Sequence, residues 1–311
     1  MKNKLTSAVI MSTYNGEDYI LAQLNSLKDQ TIGPDSVYIR DDGSSDQTVD
    51  IITRFIFKNE LSNWSLIRNE QNVGWRRNFM QLLDEASEDI IFFSDQDDIW
   101  YADKIEKTLE LMSTDSEIKV LVSDYDLFGE AGGDEKMLPF SETNVAPNLY
   151  QVSLTLDNIL IKRDGMAIAV RRNFVPEVIK SYDIIDCDAF GFPQAHDLIT
   201  WVTSILNNGL YHTDLKLVNH RIHSTSTWAK ESQKKTISPI TKVENLIQFY
   251  KKVRLQVNDE VNSFGNVLDL KLKDLALEKK LLYSRSYIAW FLSFRQFSSI
   301  KRYFGFLKRN M

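Results

Sequence analysis

The stretch from residue 90 to residue 100 constrains the fold of this chain more than any other. It begins with Ile-Ile-Phe-Phe, a short apolar run that is typical of a strand buried in a parallel sheet. The run ends abruptly in three acids, Asp95, Asp97 and Asp98. Buried carboxylates are costly without a cation or a partner, and ligands bind at the carboxyl ends of strands in open α/β sheets. The pattern predicts a ligand site, although the acids could instead cap a helix that begins near Asp103.

The first 125 residues alternate short apolar runs with helical patterns. Apolar runs predict strands, and apolar residues spaced three and four apart predict the helices between them. Strands that alternate with helices imply right-handed crossovers and a mainly parallel sheet with helices on both faces. The predicted strands are 8–12, 37–40, 64–67, 90–93 and 119–123, and the predicted helix faces are Ile20/Leu21/Leu24/Leu27, Val49/Ile52/Phe55/Ile56, Phe79/Leu82/Leu83 and Ile105/Leu109/Met112.

The pattern weakens after residue 125. Residues 128–160 contain adjacent glycines and two prolines, so we predict a long irregular connection there. From residue 238 onward the pattern is helical. We expect an α/β domain over residues 1–235 and a C-terminal helical region over residues 236–311. Between the connection and this helical region we predict strands at 167–170 and 210–220 and a helix at 196–206.

Composition excludes several classes of protein. The sole cysteine, Cys187, rules out an intramolecular disulfide and a cysteine-based zinc cluster. No stretch approaches the roughly 20 apolar residues of a membrane-spanning helix. The apolar run near the N-terminus is too short for a signal peptide. We therefore expect a cytoplasmic protein.

The net charge of −6 is spread unevenly along the chain. Residues 279–311 contain eight Lys or Arg and no Asp or Glu, so residues 1–278 carry a charge of −14. An acidic body argues against nucleic acid as a partner. The basic tail is rich in aromatic residues, a composition that suits peripheral contact with the anionic inner face of the cell membrane. Alternatively, the aromatics pack against the first domain or form the contact of a homodimer.

Polar clusters also follow the first two predicted strands. Residues 13–17 read Thr-Tyr-Asn-Gly-Glu, and residues 41–46 read Asp-Asp-Gly-Ser-Ser-Asp. Each cluster alone is also a good turn or helix-start sequence. The carboxyl ends of parallel strands lie along one edge of a sheet, however, so both clusters can converge on the acids at 95–98.

Taken together, these motifs resemble those of an inverting glycosyltransferase of family 2, with the Rossmann-like GT-A fold. The matching segments are residues 12–16, 41–48, 72–74 and 93–100. The acidic segment Ser-Asp-Gln-Asp-Asp-Ile-Trp is similar to that of bacterial rhamnosyltransferase-like enzymes of surface polysaccharide synthesis. The resemblance covers roughly residues 5–235 and is strongest over the first 110.

The resemblance implies a site for a nucleotide-diphosphate sugar with Mg²⁺ or Mn²⁺. It implies that Asp97 binds the metal with Asp95, which also faces the ribose. It further implies that Asp42, or its neighbour Asp41, reads a uracil or thymine ring. The other implied donor contacts are Thr13, Tyr14, Asn15, Glu17, Asn72, Gly74, Arg76, Arg77, Gln96, His220, Arg221 and His223.

The resemblance also implies a catalytic base, for which Asp197 is our choice. Asp197 could instead be only a helix cap, because a helix N-terminus favours an anion. His196 departs from the acid that is usual beside the base. Several assignments stay open: Arg76 and Arg77 are phosphate contacts or solvated charges, and His220 and His223 are phosphate contacts, metal ligands or incidental loop residues. Asp186, Cys187 and Asp188 are predicted to lie in a loop near the acceptor.

The expected reaction is transfer of a sugar to a hydroxyl of a growing, lipid-linked glycan. The expected donor is dTDP-L-rhamnose, with UDP-galactose or UDP-glucose as the alternative. A nucleotidyltransferase is disfavoured because the first turn, residues 12–17, contains no Lys or Arg for a phosphate loop. A non-catalytic partner subunit is disfavoured because the acids at positions 42, 95, 97 and 197 are intact.

Overall fold

A computed structural model describes residues 4–130, 137–185, 196–224, 226, 238–258, 263–284 and 286–310. Contacts divide the chain into two compact units. One comprises Met1–Tyr182 with Gln194–Ser226, and the other comprises Asp183–Pro193 with Thr227–Met311. The predicted division at residue 235 falls between Ser226 and Ser238, outside the described residues.

The first unit is built on one mixed sheet. Among the described residues its strand order is β3-β2-β1-β4-β9-β6-β10-β8-β7, with β5 paired to β10. Strands β3, β2, β1 and β4 are parallel neighbours, as are β6 and β10, whereas β9 runs antiparallel between β4 and β6. The strands are β1 Ser7–Thr13, β2 Ser36–Asp41, β3 Trp64–Arg68, β4 Ile90–Ser94, β5 Ile99–Trp100, β6 Val120–Gly129, β7 Glu142–Ala146, β8 Leu149–Val152, β9 Ile168–Arg171 and β10 Leu210–Ile222.

Helices cover both faces of this sheet. Every residue of β4 is buried, as its continuous apolar run predicts for a central strand. Phe92 belongs to the same core cluster as Ile20 and Ile105, whereas Phe93 packs its ring edge-on against Phe79 at 5.9 Å on the other face. The helices are α1 Ile20–Lys28, α2 Thr48–Lys58, α3 Trp75–Glu85, α4 Lys104–Thr114, α5 Val175–Ile185 and α6 His196–Leu206.

The predicted irregular connection at 128–160 is partly wrong. The chain forms a hairpin of β7 and β8 there, which extends the sheet through pairing of β8 with β10. The sequence pattern does not predict this hairpin, because β7 is mostly exposed and has no apolar run. Its turn places Asn148 at φ +55°, a conformation that Asn tolerates better than most residues. Strand β5 and helix α5 were likewise not predicted.

The second unit is helical in its described residues. Its helices are α7 Pro239–Arg254, α8 Phe264–Ser284, α9 Tyr287–Leu292 and α10 Ile300–Asn310. Ser238 caps α7 by accepting a hydrogen bond from the Thr241 N–H at 3.1 Å. No helix among these or the other described residues combines the length and apolar character needed to cross a membrane.

Candidate active site

The acidic segment after β4 is fixed by the end of β10. The Asp98 carboxylate is fully buried; its Oδ1 accepts a hydrogen bond from the Arg221 N–H at 2.9 Å and lies 2.8 Å from His220 Nδ1. Arg221 Nε donates to the Asp97 carbonyl oxygen at 2.8 Å, and His223 Nε2 lies 2.8 Å from Asp97 Oδ2. The predicted segment 220–223 therefore meets the predicted acids directly.

Burial and mutual repulsion shape the charge of this cluster. Burial raises the pKa of Asp95 well above its usual value, and the neighbouring Asp98 and Asp97 raise it further. Burial also raises the pKa of Asp98, while His220 opposes that rise. For His220, burial alone would lower the pKa. The attraction of the Asp98 carboxylate exceeds this effect and raises the pKa of His220 to about 10. His220 is therefore protonated and donates to Asp98.

Lys104 is a second cation beside these acids, and the sequence analysis missed it. Its side chain is buried, its Nζ donates to the Met166 carbonyl oxygen, and it lies 4.0 Å from the centre of the Trp100 ring. Burial lowers the pKa of Lys104 to about 7, against the opposing effects of Asp98 and Asp95. A lysine in the first turn of a helix gives no sequence signal of burial.

The carboxylates retain capacity to bind a cation. Asp98 Oδ2 is buried without a hydrogen-bonding partner, and the Asp95 carboxylate accepts no hydrogen bond from the described residues. Within the described part of the chain, no three His, Cys, Asp or Glu side chains form a complete metal-ligand set. Mg²⁺ commonly takes only one or two carboxylates and completes its shell with substrate phosphates and water. The residues present therefore fit a divalent ion that arrives with a diphosphate.

The turns after β1 and β2 are bonded to each other and to the acidic segment. Asn15, at φ +46°, accepts a hydrogen bond from the Ser45 N–H at 2.9 Å, and Glu17 accepts one from the Gln47 N–H at 2.8 Å. Gln96 exchanges hydrogen bonds with the Tyr14 backbone at 2.9 and 3.1 Å. The three predicted clusters thus converge at one sheet edge. In this arrangement Asn15, Glu17 and Gln96 hold the turns together.

Asp41 and Asp42 are both buried, and both carboxylates accept hydrogen bonds from other groups of the protein. Asp41 accepts hydrogen bonds from Thr13 Oγ1 at 3.0 Å and Ser44 Oγ at 2.5 Å. Asp42 accepts from Asn69 Nδ2 at 2.9 Å and from the N–H groups of Val73 and Gly74 at 2.8 and 2.9 Å. Their observed role is to anchor the two turns and the loop at 69–74. That either reads a base stays a prediction.

The predicted loop residues Asn72 and Gly74 lead into α3. Asn72 Oδ1 accepts a hydrogen bond from the Gly74 N–H at 3.1 Å, and Gly74 has φ +90°, which L side chains rarely adopt. Arg76 and Arg77 follow in the first turn of α3. The Arg76 guanidinium lies 4.2 Å from the centre of the Trp75 ring.

Asp197 lies in the first turn of α6 and is 5% exposed. Burial raises its pKa to about 7; the Leu198 N–H, 2.7 Å from Oδ1, opposes this rise and nearby Asp164 adds to it. Its charge also raises the pKa of Asp95, so the predicted base lies near the acidic segment. A carboxylate with a pKa near neutral can accept and release a proton at physiological pH.

His196 is buried in an aromatic cage. Its ring stacks on Phe79 at 4.0 Å and meets Phe93 and Trp75 at 4.9 and 5.6 Å. Neither ring nitrogen has a hydrogen-bonding partner among the described residues. Burial, with the charge of Arg76, lowers the pKa of His196 to about 3, so the imidazole is neutral.

Asp164 and Tyr125 complete the site and were not predicted. The Tyr125 hydroxyl donates to Asp164 Oδ2 at 2.7 Å, and the Tyr125 ring lies 5.7 Å from that of His220. A Cβ on Gly165 would come within 2.7 Å of His196 Nε2 and 3.5 Å of Asp197 Cβ, so this segment packs directly on the predicted base. The available signal was an Asp-Gly pair just before the strand predicted at 167–170. The predicted acceptor-loop residues Asp186, Cys187 and Asp188 lie outside the described residues.

Comparison with known proteins identifies the family. The family model described as glycosyl transferase family 2 matches residues 8–174, which is more than half of the chain. The chain belongs to glycosyl transferase family 2. The predicted family is thereby confirmed.

Individual relatives in this family act on different donors. The dTDP-rhamnosyl transferase RfbG of Shigella flexneri is 40% identical over 109 residues, 33% of this chain and 36% of that protein. The UDP-Glc:alpha-D-GlcNAc-diphosphoundecaprenol beta-1,3-glucosyltransferase WfgD of Escherichia coli is 32% identical over 203 residues, 65% of this chain and 71% of that protein. The chain therefore spans little more than a third of the length of RfbG.

Solved structures of glycosyltransferases share the fold. S. aureus TarS in complex with UDP-GlcNAc superposes with a TM-score of 0.62 at 21% identity, over 98% of this chain and 80% of TarS. The mannosyltransferase PcManGT from Pyrobaculum calidifontis, in complex with GDP-Man and Mn²⁺, gives a TM-score of 0.54 at 15% identity, over 99% of this chain and 80% of PcManGT. The predicted GT-A fold with a helical C-terminal region is confirmed.

Proposed function

We propose that this glycosyltransferase moves a sugar from a nucleotide diphosphate to a hydroxyl of a cell-surface glycan, with inversion at the anomeric carbon. One observation carries the proposal: the buried Asp197 lies at the sheet edge where Asp95, Asp97 and Asp98 cluster, because the preceding His196 packs against Phe93, two residues before Asp95. A base for the acceptor hydroxyl thus lies beside the carboxylates that would bind the metal ion and diphosphate of the donor. This arrangement suits a displacement of the diphosphate by the acceptor.

Asp197 acts as the general base in this proposal. The acceptor hydroxyl gives its proton to the Asp197 carboxylate as its oxygen bonds to the anomeric carbon. The bond from that carbon to the diphosphate oxygen breaks, and the diphosphate leaves with the electron pair. Because the acceptor attacks from the face opposite the leaving group, the configuration inverts.

Asp97 and Asp95 would hold Mg²⁺ or Mn²⁺ beside the donor diphosphate. When bound, such an ion would neutralise the negative charge that develops on the leaving group. The oxygens of Asp98 and Asp95 that have no partner among the described residues support the assignment, as does the Mn²⁺-bound structure of PcManGT. Protonated His220 and the neighbouring Arg221 supply fixed positive charge on the same side.

For the donor we propose dTDP-L-rhamnose, with UDP-glucose or UDP-galactose as the alternative. The similarity to RfbG favours rhamnose, although it covers only a third of this chain, and the longer similarity to WfgD favours UDP-glucose. For the acceptor we propose a lipid-linked glycan, because the similar enzyme WfgD acts on a diphosphoundecaprenol-linked sugar. The reaction then takes place at the cytoplasmic face of the cell membrane.

A thermal-shift panel of nucleotide sugars with Mn²⁺ tests this proposal. A true donor at 100 times its dissociation constant stabilises the folded state by about 2.7 kcal/mol. The Asp97→Asn variant is expected to lose the metal-dependent part of this shift and nearly all transfer. The solvent-exposed Asp157→Asn variant is a matched control, since it removes the same charge elsewhere.

Two results would contradict the proposal. If the Asp97→Asn variant transferred sugar at the wild-type rate in the presence of Mn²⁺, the assignment of Asp97 as a metal ligand would be wrong. Absence of any donor-induced shift or nucleotide-sugar hydrolysis across the panel would instead favour a non-catalytic partner subunit.

A further inference from the structure

The aromatic residues of the basic tail divide into two groups in the structure. Trp290, Phe297, Tyr303 and Phe306 are buried and form the core of the second unit, with Trp290 and Phe306 centred 5.3 Å apart. The second group is solvent-exposed: Phe291 is 72% exposed, Phe304 60% and Phe294 44%. The tail therefore supplies buried aromatic rings to its own unit and also carries exposed aromatic rings on its surface.

The exposed group forms one surface, which we call the aromatic–basic patch. The buried Tyr303 connects its members: its hydroxyl donates to the Phe291 carbonyl oxygen at 3.3 Å, and its ring lies 6.2 Å from Phe294 and 5.4 Å from Phe304. Exposed apolar residues scattered singly are normal, but a contiguous group marks an interaction surface. The patch comprises Phe291, Leu292, Phe294, Ile300 and Phe304 with the basic residues Arg295, Lys301 and Lys308.

Helix α10 presents apolar and basic residues on the same face. Ile300, Phe304 and Lys308 follow one another at four-residue spacing, and Lys301 lies three residues before Phe304. Neither Lys301 nor Lys308 makes an ion pair with a described residue, whereas Arg302 on the buried side pairs with Asp274 at 2.6 Å. The outward face thus combines aromatic rings with uncompensated positive charge.

The helix is also firmly attached within its unit. The buried Asp274 of α8 accepts hydrogen bonds from the Ser298 N–H at 2.8 Å and from Arg302. Trp290 Nε1 donates to the Leu281 carbonyl oxygen at 2.7 Å. The patch is therefore a preformed surface, and changes to its exposed side chains leave these contacts intact.

We propose that the aromatic–basic patch docks on the surface of an anionic lipid bilayer. Aromatic side chains favour the interfacial region of a bilayer, and lysine and arginine are attracted to its anionic headgroups. Residues 279–311 carry eight positive charges and no acid, which makes a symmetric contact with a second copy repulsive. The proposal concerns binding alone and goes beyond the transfer reaction.

Flotation of the full chain with vesicles tests the proposal without donor or acceptor, so failure here is distinct from failure of the proposed reaction. The wild type is expected to float with vesicles containing phosphatidylglycerol, to float less in high salt, and to stay unbound with pure phosphatidylcholine. Lys301→Glu/Lys308→Glu should reduce partitioning by at least about 25-fold, since each basic residue contributes about five-fold. Phe291→Ser/Phe304→Ser should reduce it by at least about ten-fold.

Matched controls change the same residue types elsewhere. Phe57 and Leu255 are 86% and 75% exposed, so Phe57→Ser/Leu255→Ser should float like the wild type. Lys58→Glu/Lys273→Glu alters net charge equally at exposed sites outside the patch and should lose much less binding. No flotation of the wild type at low salt would overturn the proposal. So would equal loss in patch and control variants, or a wild-type dimer that Phe291→Ser/Phe304→Ser splits while flotation stays unchanged.

Discussion

Asp42 and Asp197 are both buried acids at the same sheet edge, yet their hydrogen bonds give them different chemistry. Three protein donors, including the N–H groups of Val73 and Gly74, bind the Asp42 carboxylate and tie it to the loop at 69–74. Among the described residues Asp197 accepts one hydrogen bond, from the Leu198 N–H, and burial raises its pKa to about 7. Asp197 is therefore suited to accept a proton during a reaction.

Replacement of Asp197 by Asn should separate catalysis from donor binding. Loss of a general base commonly costs about 10² to 10⁴ in rate. The donor affinity, measured by thermal shift or calorimetry, should stay within a few-fold of the wild type because the metal and nucleotide groups remain. A variant that loses donor affinity instead would show that Asp197 is not the base.

Asp164 should set the pH dependence of that base. Its negative charge raises the pKa of Asp197, so Asp164→Asn lowers that pKa and moves the acidic limb of kcat/KM, near pH 7 in the wild type, to lower pH. Asn keeps an oxygen that can accept from Tyr125. The control Asp157→Asn, at an exposed position, should leave the acidic limb of kcat/KM at the same pH. If Asp164→Asn also left this limb unchanged, Asp164 would not influence the pKa of the base.

At the scale of elements, the turns after β1 and β2 and the loop before α3 act as one assembly. Residues 13–17, 41–48 and 69–74 are connected by side-chain hydrogen bonds to backbone groups rather than by apolar packing. Such loops are held by a few polar anchors, because exposed backbone cannot be fixed by burial. The shape of the proposed nucleotide site therefore depends on these anchors.

Asp42→Ala should loosen this assembly. The change leaves the half-buried Val73 N–H without its acceptor and removes one of the two acceptors of the Gly74 N–H, at an expected cost of about 1–3 kcal/mol in unfolding free energy, measured in urea. Glu70→Ala, at an exposed position of the same loop, should cost much less. If Asp42 only anchors the loop, affinities for pyrimidine and purine nucleotide sugars should fall alike. A selective loss of pyrimidine binding would support its predicted role as the base reader.

At the scale of the whole molecule, the buried neutral His196 couples stability to pH. The pKa of His196 is about 3 in the folded protein and about 6.5 as a free side chain. Between these values the unfolded chain binds more protons, so this residue's contribution to stability falls as the pH drops through that window. Above pH 6.5 the imidazole is neutral in both states and contributes no such dependence.

His196→Leu should remove that coupling. The unfolding free energy of the variant relative to the wild type should rise by about 1.4 kcal/mol for each pH unit below 6.5, because leucine does not titrate. Ile199→Val, a buried change one turn along α6, should shift stability by a similar amount at every pH. A pH-independent difference for His196→Leu would show that the imidazole takes up a proton in the folded protein as readily as in the unfolded chain.

The local sequence determined the central features of the site. The apolar run at 90–93 predicted a buried strand. The acids directly after it were expected at the carboxyl edge of the sheet, because parallel strands all end at that edge. The turns at 13–17 and 41–46 followed from the same alternation. These inferences depend only on which polar residues follow each strand within a few positions, and this order can be read from the sequence.

Only the tertiary structure decided which distant residues join that site. Asp164 reaches the edge because β9, which follows it, runs antiparallel and so begins where the parallel strands end. Lys104 is buried because the turn at Gly165–Ala167 packs over it. Phe304 is exposed because α10 turns its other side, which carries Arg302, to α8. Strand direction and helix facing are set by long-range pairing, which the spacing of residues along the chain does not encode.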